Sequence, residues 1–249
     1  MERKYWVPAL EKANDVLMQI CERPSELKLI DLSKRLEINK SSMFTLLNTM
    51  EALEWIVREN DATYSLGSKL GSWGNAFFKQ FSLIDRFRKE AAVTKHVILE
   101  TIQLAKLEQH DVLYLAKEEM PSPVRISSEP GMKLPAHATA LGKAMLAWLD
   151  PAEFDALYPA DELAPSLTPH TLRSREVLHH GLVAVREAGC AFDLEEAVMG
   201  FCCVAAPVRD GEGRVVAAIS CSMFKHDWEQ KRELAMNEIR ALAQRLSQS

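Results

Sequence analysis

Between Lys40 and Leu53 the apolar residues Met43, Leu46, Leu47, Met50 and Leu53 recur at helical spacing and form one stripe. The opposite side carries Ser41, Ser42, Thr45, Asn48 and Thr49, all short, uncharged and able to hydrogen-bond. Such a face can lie close against another surface, and the base edges in a DNA major groove are one such surface. Asn39 occupies the N-cap position. Upstream, Leu29, Leu32 and Leu36 mark a shorter helix, and only Glu37, Ile38 and Asn39 separate it from Lys40, the spacing of a helix-turn-helix. Downstream, Trp55–Arg58 and Thr63–Leu66 alternate around Glu59-Asn60-Asp61-Ala62, which predicts a hairpin, the wing of a winged helix. The same spacing also fits a helical bundle with a stray hairpin and no nucleic acid partner.

The rest of the chain divides around this stretch. A first helix is expected over about 8–22, with Leu10, Ala13, Leu17 and Ile20 inward and Arg23-Pro24-Ser25 as its end. A helix over about 69–81 places Leu70, Trp73, Phe77 and Phe78 on one side, as interior packing or as a dimer seam. A longer helix over about 83–101 opens a second domain. Two strands follow around Gln109-His110-Asp111, with a further strand at Val124-Arg125-Ile126 and an irregular connection from Glu129 to Pro135. Helices are expected after Thr139, near Pro151–Leu157 and over about 174–188. The last of these turns Val177, Leu178, Leu182, Val185 and Ala188 inward and stops at Gly189. Strands at about 190–194, 202–208 and 215–224, the last two joined by the Asp210–Gly213 turn, precede a closing helix over about 228–246. This order is that of an α+β module.

Charge narrows the nucleic-acid reading. The 249 residues carry a net charge of −5, so the molecule as a whole does not attract polyanions. Phosphate contacts must come from a local patch, and Lys34, Arg35 and Lys40 cluster around the turn, with Arg58 in the wing. The five cysteines, Cys21, Cys190, Cys202, Cys203 and Cys221, are odd in number and lack CxxC spacing. With no signal-peptide pattern and no bilayer-length apolar run, a reduced cytoplasmic protein is expected.

Chemistry concentrates in the second half. On the strand 215–224, Val216, Ala218, Ser220 and Ser222 share a face, and Ala217, Ile219, Cys221 and Met223 share the other. Two hydroxyls side by side need partners if buried, either backbone and water or a polar ligand. The run from Thr139 to Ala147 begins a helix with small residues, leaving amides near Ala140 open to a carboxylate or phosphate. Asp193 and Glu196 are expected after a strand across the sheet. There is no GxSxG, HExxH or P-loop, so catalysis would rest on Cys202 or Cys203 near His137 or His170. Cysteine on an apolar strand usually packs. Zinc through Cys190, Asp193 and Cys203 lacks ligand spacing in the sequence, and no cofactor is expected.

Several stretches together resemble the IclR family of bacterial transcriptional regulators. They are Val7-Pro8-Ala9-Leu10-Glu11-Lys12-Ala13, Leu32 to Ser42, Tyr64-Ser65-Leu66-Gly67, His137 to Lys143, and Gly200-Phe201-Cys202-Cys203-Val204-Ala205-Ala206-Pro207. The resemblance implies an N-terminal winged helix-turn-helix over 1–67, a linker helix over 68–82 and a C-terminal GAF-like effector-binding domain over 83–249. It implies a homodimer or tetramer that binds a double-stranded DNA operator, with no membrane partner. Lys34, Arg35, Lys40, Ser41, Ser42, Thr45, Thr49 and Arg58 would face DNA. Ala140, Leu141, Asp193, Cys203, Ser220 and Ser222 would line a cavity for a small organic acid. A sensor working through protein partners and a thiol-dependent enzyme are the alternatives. Three departures stand out against the family. Glu54 replaces the usual glycine at the end of the second helix of the motif, Thr45 replaces an arginine, and Thr63 and Ser65 replace basic residues of the wing. Fewer cations mean weaker and less salt-sensitive DNA binding.

Overall fold

The computed structural model describes residues 7–78, 82–122 and 128–247. The strand expected at Val124-Arg125-Ile126 lies outside them. The chain separates into two compact units, Met1–Gln80 and Phe81–Ser249.

The first unit begins with α1 (Pro8–Glu22), α2 (Leu29–Arg35) and α3 (Lys40–Ala52). The strands β1 (Ile56–Arg58) and β2 (Tyr64–Leu66) pair antiparallel as a wing, and α4 (Ser68–Phe78) follows. Asn39 caps α3, its Oδ1 accepting the Ser42 amide at 2.8 Å. One core joins Ala13, Val16 and Ile20 of α1, Leu32 of α2, Met43, Leu47 and Met50 of α3, and Ile56 and Tyr64 of the wing. The inward stripe of α1 therefore runs through Val16 rather than Leu10, which is exposed. A helix advances about 100° per residue, so Ala13, Val16 and Ile20 fall within about 60° of one another, whereas Leu10 lies about 120° from Val16. The helix expected to reach residue 81 is described as far as Phe78, with Trp73 edge-on to Trp55 at 5.5 Å. Leu53, expected in the buried stripe of α3, is half-exposed because the helix stops at Ala52.

Beyond α3 the chain turns through Glu54, whose φ is +59°. A side chain costs about 1 kcal/mol in this left-handed region. Replacing Glu54 by Gly should raise the stability of the winged-helix unit by up to about 1 kcal/mol, less the entropy glycine adds to the unfolded chain. Denaturant unfolding checks this, and a loss of stability would contradict it.

The second unit is built on a six-stranded antiparallel sheet of order β5-β4-β3-β8-β7-β6. Its strands are β3 (Thr101–Glu108), β4 (Asp111–Glu118), β5 (Lys133–Pro135), β6 (Ala191–Leu194), β7 (Phe201–Arg209) and β8 (Val215–Phe224). The helices α5 (Ser82–Ile98) and α9 (Lys225–Ser247) cover one face. The opposite face packs α6 (Ala140–Leu146), which a short 3-10 turn over Ala136–Ala138 introduces, with α7 (Pro151–Leu157) and α8 (Arg175–Ala188) beyond. The connection expected from Glu129 to Pro135 ends in the edge strand β5, whose proline the edge tolerates because no further strand needs its amide. In α8, Leu178, Leu182 and Val185 are buried, whereas Val177 and Ala188 face solvent. Its C-terminal stop at Gly189 has φ +67°. The closing helix starts three residues earlier than its apolar pattern suggests, directly from β8.

The β8 alternation sorts as its sequence predicts. Ala218 and Ser220 turn toward α6, and Ile219 and Cys221 turn the other way, all buried.

Candidate functional site

In the winged-helix unit, Lys34, Arg35, Lys40, Ser41, Ser42, Thr45, Thr49 and Arg58 are all exposed. They sit where the motif puts them because Met43, Leu47 and Met50 tie the other side of α3 to the core. Ser41, Ser42, Thr45 and Thr49 border a shallow groove together with Ala9, Lys12, Ile38 and Leu46. Lys12, on α1, escaped the sequence reading because its neighbours in space lie some thirty residues further on. Thr63 is buried, and its hydroxyl donates to Asp61 Oδ1 at 2.6 Å. A basic side chain is absent from that wing position because this residue closes the turn rather than facing outward.

In the second unit the register of the sheet assembles the polar residues. Asp193 pairs with Cys203, Cys203 with Ser222, and Ser222 with Thr101. The next row on the same face joins Ala205, Ser220 and Gln103. Antiparallel partners put their side chains on one side of the sheet, so residues from four strands meet under α6. They border a small cavity of about 20 Å3 lined also by Tyr114, Leu134, Thr139, Ala140, Leu141, Ala197, Val198 and Phe201. All six effector residues expected from the sequence, Ala140, Leu141, Asp193, Cys203, Ser220 and Ser222, lie on this wall. Asp193 is within β6 rather than after it, and Glu196 follows in the loop.

The two serines find a side-chain partner rather than backbone. Ser220 Oγ donates to Gln103 Oε1 at 3.1 Å, with Ser222 Oγ 3.5 Å from the same oxygen. Cys203 Sγ donates to Ser222 Oγ at 3.2 Å. Gln103 and Tyr114 were not singled out from the sequence. Their alternation on β3 and β4 was visible, but the pairing of Gln103 with Ser220 spans more than a hundred residues.

Electrostatics separate the acids. Asp193 Oδ1 accepts the Glu196 amide at 2.6 Å and the Ala197 amide at 3.3 Å, fixing the turn after β6. Burial pushes its carboxyl up to about 6, Lys143 and these amides opposing the rise. Lys143 Nζ meets Glu196 Oε1 at 2.5 Å, both side chains nearly buried. Thr139 Oγ1 accepts the Gly142 amide at 3.0 Å, so this donor of the α6 first turn, expected to be open, is capped. Burial lifts the Cys203 thiol well above its usual range, with Asp193 adding to it, so at neutral pH Cys203 is a thiol and hydrogen-bond donor, not a thiolate nucleophile. The zinc arrangement weighed from the sequence does not form. Cys190 and Asp193 are three apart along extended chain and so point to opposite faces, and Cys190 is not in the cavity wall. Among the described residues no group of three or more His, Cys, Asp or Glu side chains could hold a metal ion.

A winged helix with an outward polar face, and an antiparallel sheet closing on a polar cavity, define a DNA-binding transcriptional regulator with an effector-binding domain. The family model for the IclR helix-turn-helix domain matches residues 9–60, and that for the bacterial transcriptional regulator IclR C-terminal domain matches residues 88–248. The chain belongs to the IclR family of bacterial transcriptional regulators. It is 34% identical over 217 residues to the HTH-type transcriptional regulator XynR of Escherichia coli K12, covering 87% of this chain and 86% of that one. Its fold is similar to that of the Thermotoga maritima IclR, with TM-score 0.80 and 24% identity over 96% of this chain and 99% of that one. An IclR homologue from Microbacterium hydrocarbonoxydans, in complex with 4-hydroxybenzoate, shares the fold with TM-score 0.74 and 22% identity over 95% of this chain and 99% of that one. Among the described residues no helix is long and apolar enough to cross a membrane.

Proposed function

We propose that the cavity under α6 is the effector site and that its ligand is a small organic acid whose binding alters the hold on an operator. The observation that carries this reading is the convergence of Asp193, Cys203, Ser220 and Ser222 with Gln103 on one enclosed wall of a chain that also has a winged helix. Ser220, Ser222 and Gln103 would exchange their mutual hydrogen bonds for ligand oxygens. The ligand carboxylate would lie toward Ala140 and Leu141, away from Asp193. That the Microbacterium homologue is in complex with 4-hydroxybenzoate, an organic acid, supports this class of ligand. A homodimer or tetramer in the cytoplasm completes the proposal, so that the effector can favour one placement of two winged helices over another. In this reading the chain acts by binding rather than by catalysis.

In the winged helix, Ser41, Ser42, Thr45 and Thr49 would approach base edges, and Lys34, Arg35, Lys40 and Arg58 would contact phosphates. Lys40→Glu should weaken binding to every duplex alike, because a phosphate contact carries no sequence information. Removing a cation and adding an anion should lower affinity about tenfold at moderate salt and flatten the salt dependence. A gel shift that shows no loss would remove α3 from the interface. In the cavity, Ser222→Leu should abolish the response to effector while DNA binding persists, since the isobutyl group fills the polar wall. The assay is a thermal-shift screen of small carboxylic acids, in which a ligand that binds only the folded chain raises the melting temperature. A Ser222→Leu protein with the full shift would contradict the assignment.

A further inference from the structure

The outward face of α3 has fewer free hydrogen-bond donors than its sequence suggests. Ser41 Oγ donates to Asn39 Oδ1 at 2.8 Å, Thr45 Oγ1 to Ser41 O at 3.1 Å, and Thr49 Oγ1 to Thr45 O at 2.9 Å. These three hydroxyl protons are committed within the helix, so the threonines offer mainly their methyl groups to an outside partner. The helix Lys40-Ser41-Ser42-Met43-Phe44-Thr45-Leu46-Leu47-Asn48-Thr49-Met50-Glu51-Ala52 has no arginine, and its one lysine stands in the first turn. Two other residues of this face remain available. Asn48 is exposed, and its carboxamide has no hydrogen bond to another described residue. Phe44 is 52% exposed, an unusual position for a phenyl ring on a short helix otherwise polar on that side. Phe44, Thr45 and Asn48 are neighbours on the helix surface, four and three positions apart along it.

This inventory selects a base pair. Guanine is read by the paired donors of Arg or Lys, which the middle of α3 lacks. Adenine offers an N7 acceptor beside an N6 donor, which one carboxamide matches with its NH2 and its oxygen. Thymine offers a C5 methyl group, which a phenyl ring or threonine methyl can cover. Exposed Lys34, Arg35 and Lys40 supply positive charge beside this patch, complementing a phosphate backbone.

We infer that α3 reads A·T pairs at the centre of each operator half-site, with Asn48 on adenine and Phe44 with Thr45 on thymine methyl groups. The inference rests on α3 being the base-reading helix.

The test is selection of random duplexes by the full chain, followed by sequencing of the retained DNA. The wild type should enrich a half-site centred on A·T pairs. Asn48→Ala should lose about tenfold of the preference for adenine at one position. Phe44→Ala should lose the preference for thymine beside it, and deoxyuridine in place of that thymine should weaken wild-type binding but not binding by Phe44→Ala. Asn48→Arg should move the enriched base from adenine to guanine. Both side chains are exposed, so melting temperatures should be unchanged. A wild-type motif centred on G·C, or variants that lose affinity for all sequences alike, would overturn the inference while leaving a DNA-binding regulator. A wild type that enriches no sequence would overturn both.

Discussion

Gly142→Ala is expected to destabilise the second unit by about 3 kcal/mol or more, at or beyond the usual cost of overpacking. Gly142 lies in α6 where the helix presses against the preceding 3-10 turn. A Cβ there would stand 2.0 Å from the Ala136 carbonyl oxygen and 2.4 Å from Ala136 Cα. The obstacles are backbone atoms, so no rotamer change relieves them. The turn and helix would have to part, opening the core of Ala136, Ala140, Leu141, Ala144 and Met145 and displacing one wall of the cavity. The Thr139 cap on the Gly142 amide would be lost with it. Denaturant unfolding measures the effect. Gly181→Ala is the control, because its Cβ meets nothing within 4 Å on the exposed side of α8. There the better helix propensity of alanine should add up to about 1 kcal/mol. Equal stability of the Gly142→Ala chain and the wild type would show that α6 and the turn are not held as described.

The second large effect is expected from Lys143→Met, at about 3–5 kcal/mol, the range for a buried ion pair that loses one member. Lys143 and Glu196 are 10% and 11% exposed at their side chains. Glu196 Oε2 is buried and has no hydrogen-bond partner among the described residues, so Lys143 carries most of the compensation for this carboxylate. Lys143 also opposes the rise of the nearby Asp193 carboxyl. Methionine keeps the length of the lysine stem but leaves acids without a counter-charge. The double substitution Lys143→Met with Glu196→Gln should recover most of the loss, because no net charge is then buried. If the single and double variants are equally unstable, packing of the stem matters and the ion pair does not. The pair further joins α6 to the loop after β6, whose Glu195 and Glu196 carbonyls accept the Thr168 and Thr171 hydroxyls at 2.7 Å. Its loss should therefore also loosen the cavity wall at Ala197 and Val198.

Local chemistry made the winged helix legible in the sequence. Asn39 before Lys40, the Met43-Leu47-Met50 stripe and the turn around Asn60 each act within a few residues, and each appears in the structure. The mistaken inward positions, Leu10 in α1 and Val177 in α8, come from helices with more apolar residues than one face can hold. Which of these turn inward depends on the neighbouring elements rather than on the helix itself. The strand β5 was hidden because Lys133-Leu134-Pro135 is too short for alternation to show. In the cavity, Ser220 and Ser222 stood out because two hydroxyls interrupt an apolar strand. Gln103 did not, because nothing near it in the chain states that β3 will pair with β8. The Lys143–Glu196 contact was unreadable for the same reason, its two charges being 53 positions apart. Resemblance to the IclR family supplied Asp193 and Cys203, which periodicity alone would leave as ordinary strand residues.

The account turns on coupling between the cavity and the DNA-facing helix of one chain. The direct measurement is the affinity of the full-length protein for a selected duplex, by fluorescence anisotropy, as the acid that most raises its melting temperature is titrated. The account predicts an affinity that changes at least several-fold with the acid in the wild type, and a Ser222→Leu protein that binds the same duplex with no such change. A wild type that binds the acid and the duplex independently, with neither altering the other, would contradict it.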